Sequence, residues 1–146
     1  MEKVKIGIML EDGIELPFYA TEGSSGMDIR ANIKEPITLG TLERKLIPSG
    51  IKMEIPEGYE IQVRPRSGLA LKHGISIVNA PGTVDSDYRG DIGVILINLS
   101  KEDYTIQPNE RIAQLVLAKV EKAQLEIVKE INTTERGAGG YGSTGK

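Results

Sequence analysis

The segment from Asn79 to Asp91, NAPGTVDSDYRGD, is the densest concentration of chemically competent side chains in the sequence. Asp85, Asp87 and Asp91 stand with Asn79 and Tyr88 around a Pro81-Gly82 turn that links two hydrophobic runs. A β-hairpin there would present backbone N–H and C=O groups able to pair with the edge of a nucleobase. Asp85 follows Val84, and partial desolvation would suit it to act as a base toward water. Each member also fits a solvated loop whose Asp and Asn side chains satisfy turns. A second set, Arg64-Pro65-Arg66-Ser67-Gly68-Leu69-Ala70, offers a planar guanidinium fork beside the free N–H groups of a helix start, a combination that suits an anion. The same residues fit an exposed turn with Ser67 as N-cap of a short helix over Gly68–Lys72. Gln114 lies inside an apolar run, where a buried amide needs a partner. Asp28 follows a glycine turn, a common place for an acid.

Other chemistries are closed by composition. With no cysteine and a single histidine, His73, the chain has no thiolate nucleophile, disulfide or multi-His metal site, and a Ser-His-Asp triad is not expected. Hydrolysis would have to run on carboxylates, with a metal held by them or by the substrate. Gly140 to Lys146, GYGSTGK, follows most of G-x-x-x-x-G-K-[ST], but no Ser or Thr and no helix follow it, so a Walker-type NTPase is not expected. Flexible N–H groups beside Arg136, Ser143, Thr144 and Lys146 could still close on phosphates if something ordered them. Tyr141, alone in that glycine tail, calls for a partner to pack against.

Positioning such residues falls to many short strands. The 146 residues make about one domain, and the 17 Gly and 7 Pro break it into pieces too short for most helices. Residues 4–10 alternate with period two, and further strands are predicted at Ile37–Leu39, Leu42–Ile47, Ile51–Ile55, Tyr59–Arg64, Ser76–Asn79, Gly90–Leu99 and Tyr104–Ile106. An all-β fold follows, a jelly-roll-like sandwich or barrel with one short helix. Residues 110–131 read as helix by propensity alone. Leu115-Val116-Leu117 and Leu125–Ile127 equally allow two strands joined near Lys119–Lys122, and the surrounding β context favours strands. A single domain over 1–131 is expected, followed by a mobile arm, 132–146, too poor in apolar surface to offset its ordering entropy.

At 39% hydrophobic, 27% charged and net charge -3, the chain lacks the basic footprint of a nucleic-acid binder. No apolar run approaches the roughly 20 residues of a membrane span, and no signal peptide is evident. A cytoplasmic protein with no nucleic-acid or membrane partner is expected.

Five segments in order, SGMDIRA (25–31), RPRSGLA (64–70), NAPGTVDSDYRGD (79–91), NERIAQLV (109–116) and RGAGGYGSTG (136–145), resemble the five motifs of the homotrimeric dUTPases, the deoxyuridine triphosphate nucleotidohydrolases. That resemblance implies a β-jelly roll assembling as a homotrimer with shared active sites, and hydrolysis of dUTP to dUMP and pyrophosphate with Mg²⁺. Asp85 matches the acid that activates water for in-line attack on the α-phosphorus. Tyr88 matches the ring under the deoxyribose. Asn79, with the backbone of Gly82, Thr83, Val84 and Gly93, matches the uracil-reading hairpin. Arg66, Ser67, Gly68 and Gln114 match phosphate contacts, and Asp28 an acid linked to Mg²⁺ through water. In the arm, Arg136, Ser143 and Thr144 match γ-phosphate contacts and Tyr141 a ring stacked on uracil. Many relatives have Phe at the position of Tyr141, and Ala and Leu at those of Ser25 and Ile29. Two competing readings share the fold: a dCTP deaminase or bifunctional deaminase–dUTPase, and a non-catalytic dUTP-binding regulatory trimer.

Overall fold

Strand pairing in this protein is almost wholly non-local. The computed structural model describes residues 2–143, in which eleven strands and one helix follow the chain. They are β1 (Gly7–Leu10), β2 (Met27–Arg30), β3 (Ile37–Leu39), β4 (Arg44–Pro48), β5 (Ile51–Glu54), β6 (Tyr59–Arg64), α1 (Ser67–His73), β7 (Ile75–Ile77), β8 (Gly82–Val84), β9 (Gly93–Asn98), β10 (Tyr104–Ile106) and β11 (Arg111–Lys119). One sheet runs β2-β11-β6-β8, a second β4-β9-β7, and β1-β5 and β3-β10 form two ribbons. Every pairing is antiparallel, and none joins strands adjacent in sequence. That crossing of neighbours between sheets is the jelly-roll-like arrangement expected.

The core explains the strand choice. β9 alternates inward and outward residue by residue, so Val94, Leu96 and Asn98 are buried. Val94 and Leu96 meet Ile61 and Val63 of β6, Ile29 of β2 and Leu115 of β11 in one apolar cluster. Asn98 is buried without cost because its amide donates to Leu39 O (2.8 Å) and Glu102 O (2.7 Å), and its oxygen accepts from Ser100. Leu115 is completely buried at the centre of the larger sheet. Leu115→Ala is therefore expected to cost about 3 kcal/mol and to lower the melting temperature by several degrees, read by thermal unfolding.

Three expectations need correction. First, residues 110–131 hold one strand, not two. Ile112, Ala113 and Leu115 gain burial in the sheet, which outweighs helix propensity, but beyond Val120, whose N–H reaches Gly58 O (2.8 Å), no strand forms. Leu125 and Ile127 find no ladder partner and stand 92% and 101% exposed. Second, Ser67 does not cap the helix. Arg66 holds the extended cap position without a side-chain bond, and Ser67 is the first helical residue. The helix ends at Gly74, whose φ of 65° and closeness to Ser100 exclude a side chain. Third, the Pro81-Gly82 turn closes no hairpin. It follows a cis Ala80–Pro81 bond and carries the chain from β7 in one sheet to β8 in the other.

His73 has a structural role. Its ring lies 4.9 Å from that of Tyr104, whose hydroxyl donates to the Glu110 carboxylate. Burial and that negatively charged acceptor both push the Tyr104 phenol above its ordinary range, so it remains a donor at neutral pH.

Candidate active site

Two clusters are reached from the strands that pair with β6. At the end of that strand, Gln114 of β11 stands opposite Arg64 on one side and Asp28 of β2 on the other. Two residues past β6, the Arg66 guanidinium donates from Nε to Asp28 Oδ1 (3.1 Å), while Arg111 reaches Asp28 Oδ2 at 3.4 Å. Arg66 also donates to the backbone oxygen of Arg111 (3.4 Å). Two guanidiniums on one carboxylate leave a net positive site. With the N–H groups of Ser67, Gly68 and Leu69 free in the first helical turn, it is suited to an anion.

A bulge aims these side chains. The pairing of β11 with β2 shifts between Arg111 and Ala113, so Ile112 and Ala113 are buried in succession. Strict alternation would put residues 111 and 114 on opposite faces; the extra residue lets Arg111 reach Asp28, the cross-strand partner of Gln114. The Gln114 amide finds its partner in Pro65 O (3.0 Å), answering the need for one that its apolar setting raised. Space for it exists because residue 26 is glycine: a Cβ there would fall 2.4 Å from Gln114 Oε1. Arg111 was not singled out from sequence. Its place just before the apolar run is visible there, but the bulge that turns it inward is not.

One position back along β6, Val63 pairs with Gly82 of β8. With strands about 4.8 Å apart, β8 lies within about 10 Å of β11. From β8 opens a groove of about 590 Å³, lined by Thr83, Val84, Asp85, Tyr88, Asp91 and Gly93, together with Leu46 and Ile95. The Asn79 amide lies beside Gly82, 3.3 Å from where a Cβ would stand. Four of the predicted base- and sugar-reading residues, Thr83, Val84, Tyr88 and Gly93, thus share one groove with Asp85. Asp85 is fully part of it but exposed, so the partial desolvation expected for it is not supplied by this chain's own residues. Tyr88 packs over Gly90, where any Cβ would strike its ring, and its hydroxyl donates to Asp91 O (2.7 Å).

No described arm residue lines the groove or hydrogen-bonds to the Arg66 cluster. Among the described residues, the hydrogen bonds of 132–143 are internal: Arg136 Nε to Gly139 O (2.8 Å), Gly139 N to Arg136 O (3.2 Å), Gly137 N to Thr134 Oγ1 (3.1 Å) and Ser143 N to Gly140 O (3.0 Å). Tyr141 adopts a φ of 52° and is wholly exposed. Thr144 lies outside the described residues.

A sequence-family model described as dUTPase matches residues 12–145. The chain belongs to the dUTPase family. A curated relative, the deoxyuridine 5'-triphosphate nucleotidohydrolase of Fusobacterium nucleatum, is 64% identical over 146 residues, covering 100% of both chains. The enzyme of the same name from Treponema denticola is 58% identical over 136 residues, 93% of this chain and 94% of its own. Among solved structures, the dUTPase of Staphylococcus bacteriophage 80alpha with dUpNHpp superimposes with a TM-score of 0.86 at 26% identity, covering 99% of this chain and 100% of that one. The family membership accounts for the order of the five segments, and the all-β crossing topology brings the first four of them onto one sheet and its flanking loops. No described helix is long and apolar enough to cross a membrane.

Proposed function

We propose that the chain is a dUTP diphosphatase, hydrolysing dUTP to dUMP and pyrophosphate. The observation that carries the reading is that the two strands paired with β6 lead to sites of different kinds, β11 to a cluster built on Arg66 and β8 to a groove holding Asp85 and Tyr88. A nucleoside and its phosphate chain need one site of each kind. In this reading Asp85 accepts a proton from the water that attacks the α-phosphorus in line, and pyrophosphate leaves. Asn79 and the backbone of Gly82, Thr83, Val84 and Gly93 take the uracil, and Tyr88 lies under the deoxyribose. Arg66, Ser67, Gly68 and Gln114 hold phosphates, while Arg136, Tyr141, Ser143 and Thr144 come from an arm.

Mg²⁺ fits this site only as a guest of the substrate. Among the described residues no group of three or more His, Asp or Glu side chains could hold a metal, and Asp28 is already paired with Arg66 and Arg111. A cation that retains several waters and binds through phosphates suits that donor set, with Asp28 reached through water. Bound there, it would neutralise charge on the triphosphate. The protein's own share is to orient the phosphates and hold the water-activating carboxylate.

A homotrimer with shared sites accords with the exposed apolar side chains of Leu125, Ile127 and Ile131, and with a groove to which residues 132–143 contribute nothing in their own chain. A cytoplasmic location follows from a substrate of nucleotide metabolism. The test is direct: supply dUTP, dCTP, dTTP and UTP with Mg²⁺ and identify the products. Release of dUMP and pyrophosphate from dUTP is expected; deamination of dCTP, or binding without turnover, would sink the reading.

Sugar choice gives a sharper expectation. With Tyr88 against C2′, UTP is expected to be used less efficiently than dUTP by on the order of 10², and Tyr88→Ala to narrow that gap. Competing-substrate kinetics measure both, and equal use of UTP by the wild-type protein would remove Tyr88 from the role.

A further inference from the structure

Tyr88 and Asp85 share a loop that holds itself together locally. Tyr88 N donates to Asp85 O (3.1 Å), and Arg89 Nη1 donates to Ser86 O (2.6 Å) and Tyr88 O (3.1 Å). These bonds shape the loop but do not place it on the domain. At its end, two bonds reach outward, one to the β4–β5 turn and one to the first residue of β5. Ile92 N donates to Ile51 O (2.9 Å), and Ser49 N donates to Asp91 Oδ2 (3.2 Å). Among the described residues, Asp91 is the single side chain from Asp85 to Asp91 that hydrogen-bonds beyond the loop. Ser49 is a firm support: it is 1% exposed, and its hydroxyl accepts from Ile51 N (3.2 Å). The carbonyl that receives the Tyr88 hydroxyl belongs to Asp91 as well, and the ring occupies the space that a side chain at Gly90 would take.

We propose that Asp91, gripped by the Ser49 N–H, is a specificity-determining positioning residue that fixes the Tyr88 ring, and Asp85 with it, over the groove. This rests on the reading of Tyr88 as the sugar-facing ring. The residue touches no reacting atom in this account; it acts through Tyr88. An acceptor oxygen, not a negative charge, is what the Ser49 N–H requires, so asparagine can serve in its place. Displacement of a positioned group by about 1 Å costs up to about a hundredfold in rate, which sets the scale to expect.

Asp91 is half-exposed and forms no ion pair among the described residues, so its truncation removes no core volume. Asp91→Ala is expected to lose roughly tenfold or more in kcat/KM for dUTP and to narrow the dUTP-to-UTP ratio by a similar factor. Asp91→Asn is expected to recover the ratio to within about twofold, because its amide oxygen still accepts. Amide hydrogen exchange without nucleotide provides a second measurement, with residues 85–92 exchanging faster in Asp91→Ala than in wild type. Unchanged exchange there overturns the anchor. Faster exchange with an unchanged ratio overturns its part in sugar choice, and an Asp91→Asn variant as impaired as Asp91→Ala overturns the hydrogen-bond account. Tyr88→Ala is run alongside. If that variant keeps the wild-type ratio while Asp91→Ala exchanges faster, the failure lies in the reading of Tyr88, and the proposed control of specificity falls with it.

Discussion

Asp85→Asn is expected to bind dUTP and turn it over at least about a hundredfold more slowly than the parent protein, the scale of losing a general base. The substitution is nearly isosteric, and the exposed Asp85 side chain makes no hydrogen bond among the described residues. Its replacement therefore removes no packing, and stability should stay within about 0.5 kcal/mol of wild type. What is lost is the capacity to take a proton from water. Because one negative charge also leaves the neighbourhood of a polyanion, KM should hold or fall while kcat drops. Steady-state kinetics beside thermal melts separate these effects. Near-normal kcat in the folded variant would exclude Asp85 as the base.

The residues that line the candidate site stand out in the sequence because turn residues and titratable side chains coincide there. Pro81-Gly82 had to turn, Asp85 and Tyr88 had to follow, and Gln114 needed a partner. What the sequence could not show was where the turns lead. The connection after β7 looks like a hairpin because two apolar runs flank Pro81 and Gly82, yet those runs join different sheets. Pairing of β6 with β8 and β11 is decided by burial of Ile61, Val63 and Leu115, contacts remote in sequence. Arg111 escaped notice for a related reason. A one-residue bulge changes the face to which it points, and bulges arise from sheet context. The stretch after Val120 keeps its apolar pattern but lacks the neighbour that would make it a strand. Local pattern there describes a surface and leaves its partner unnamed.

Removal of the arm after Thr134 is expected to spare the fold and cripple the enzyme. Among the described residues no buried core residue lies beyond Val116, and the described arm makes no hydrogen bond to the domain, so the truncated protein should melt within a degree or two of the full chain. Activity should nonetheless fall by about a hundredfold, because a closing segment excludes water and fixes the phosphate chain for in-line attack. The energetic demand on the ligand is considerable. Fixing each backbone residue costs about 1 kcal/mol or more, and few apolar contacts of the arm's own offset it. Stacking of Tyr141 on the base and pairing of Arg136 with the terminal phosphate must therefore supply the difference together. Arg136 has to exchange the Gly139 carbonyl for phosphate oxygens, a stronger charge-assisted bond. The γ-phosphate should accordingly matter for closure: dUMP offers Arg136 no partner, and protease protection of the arm should appear with a non-hydrolysable dUTP analogue and not with dUMP. Single variants should divide the effect, Tyr141→Ala and Arg136→Ala each losing part of what truncation loses in full. Unchanged turnover after truncation would show that the Arg66 and Asp85 clusters suffice alone.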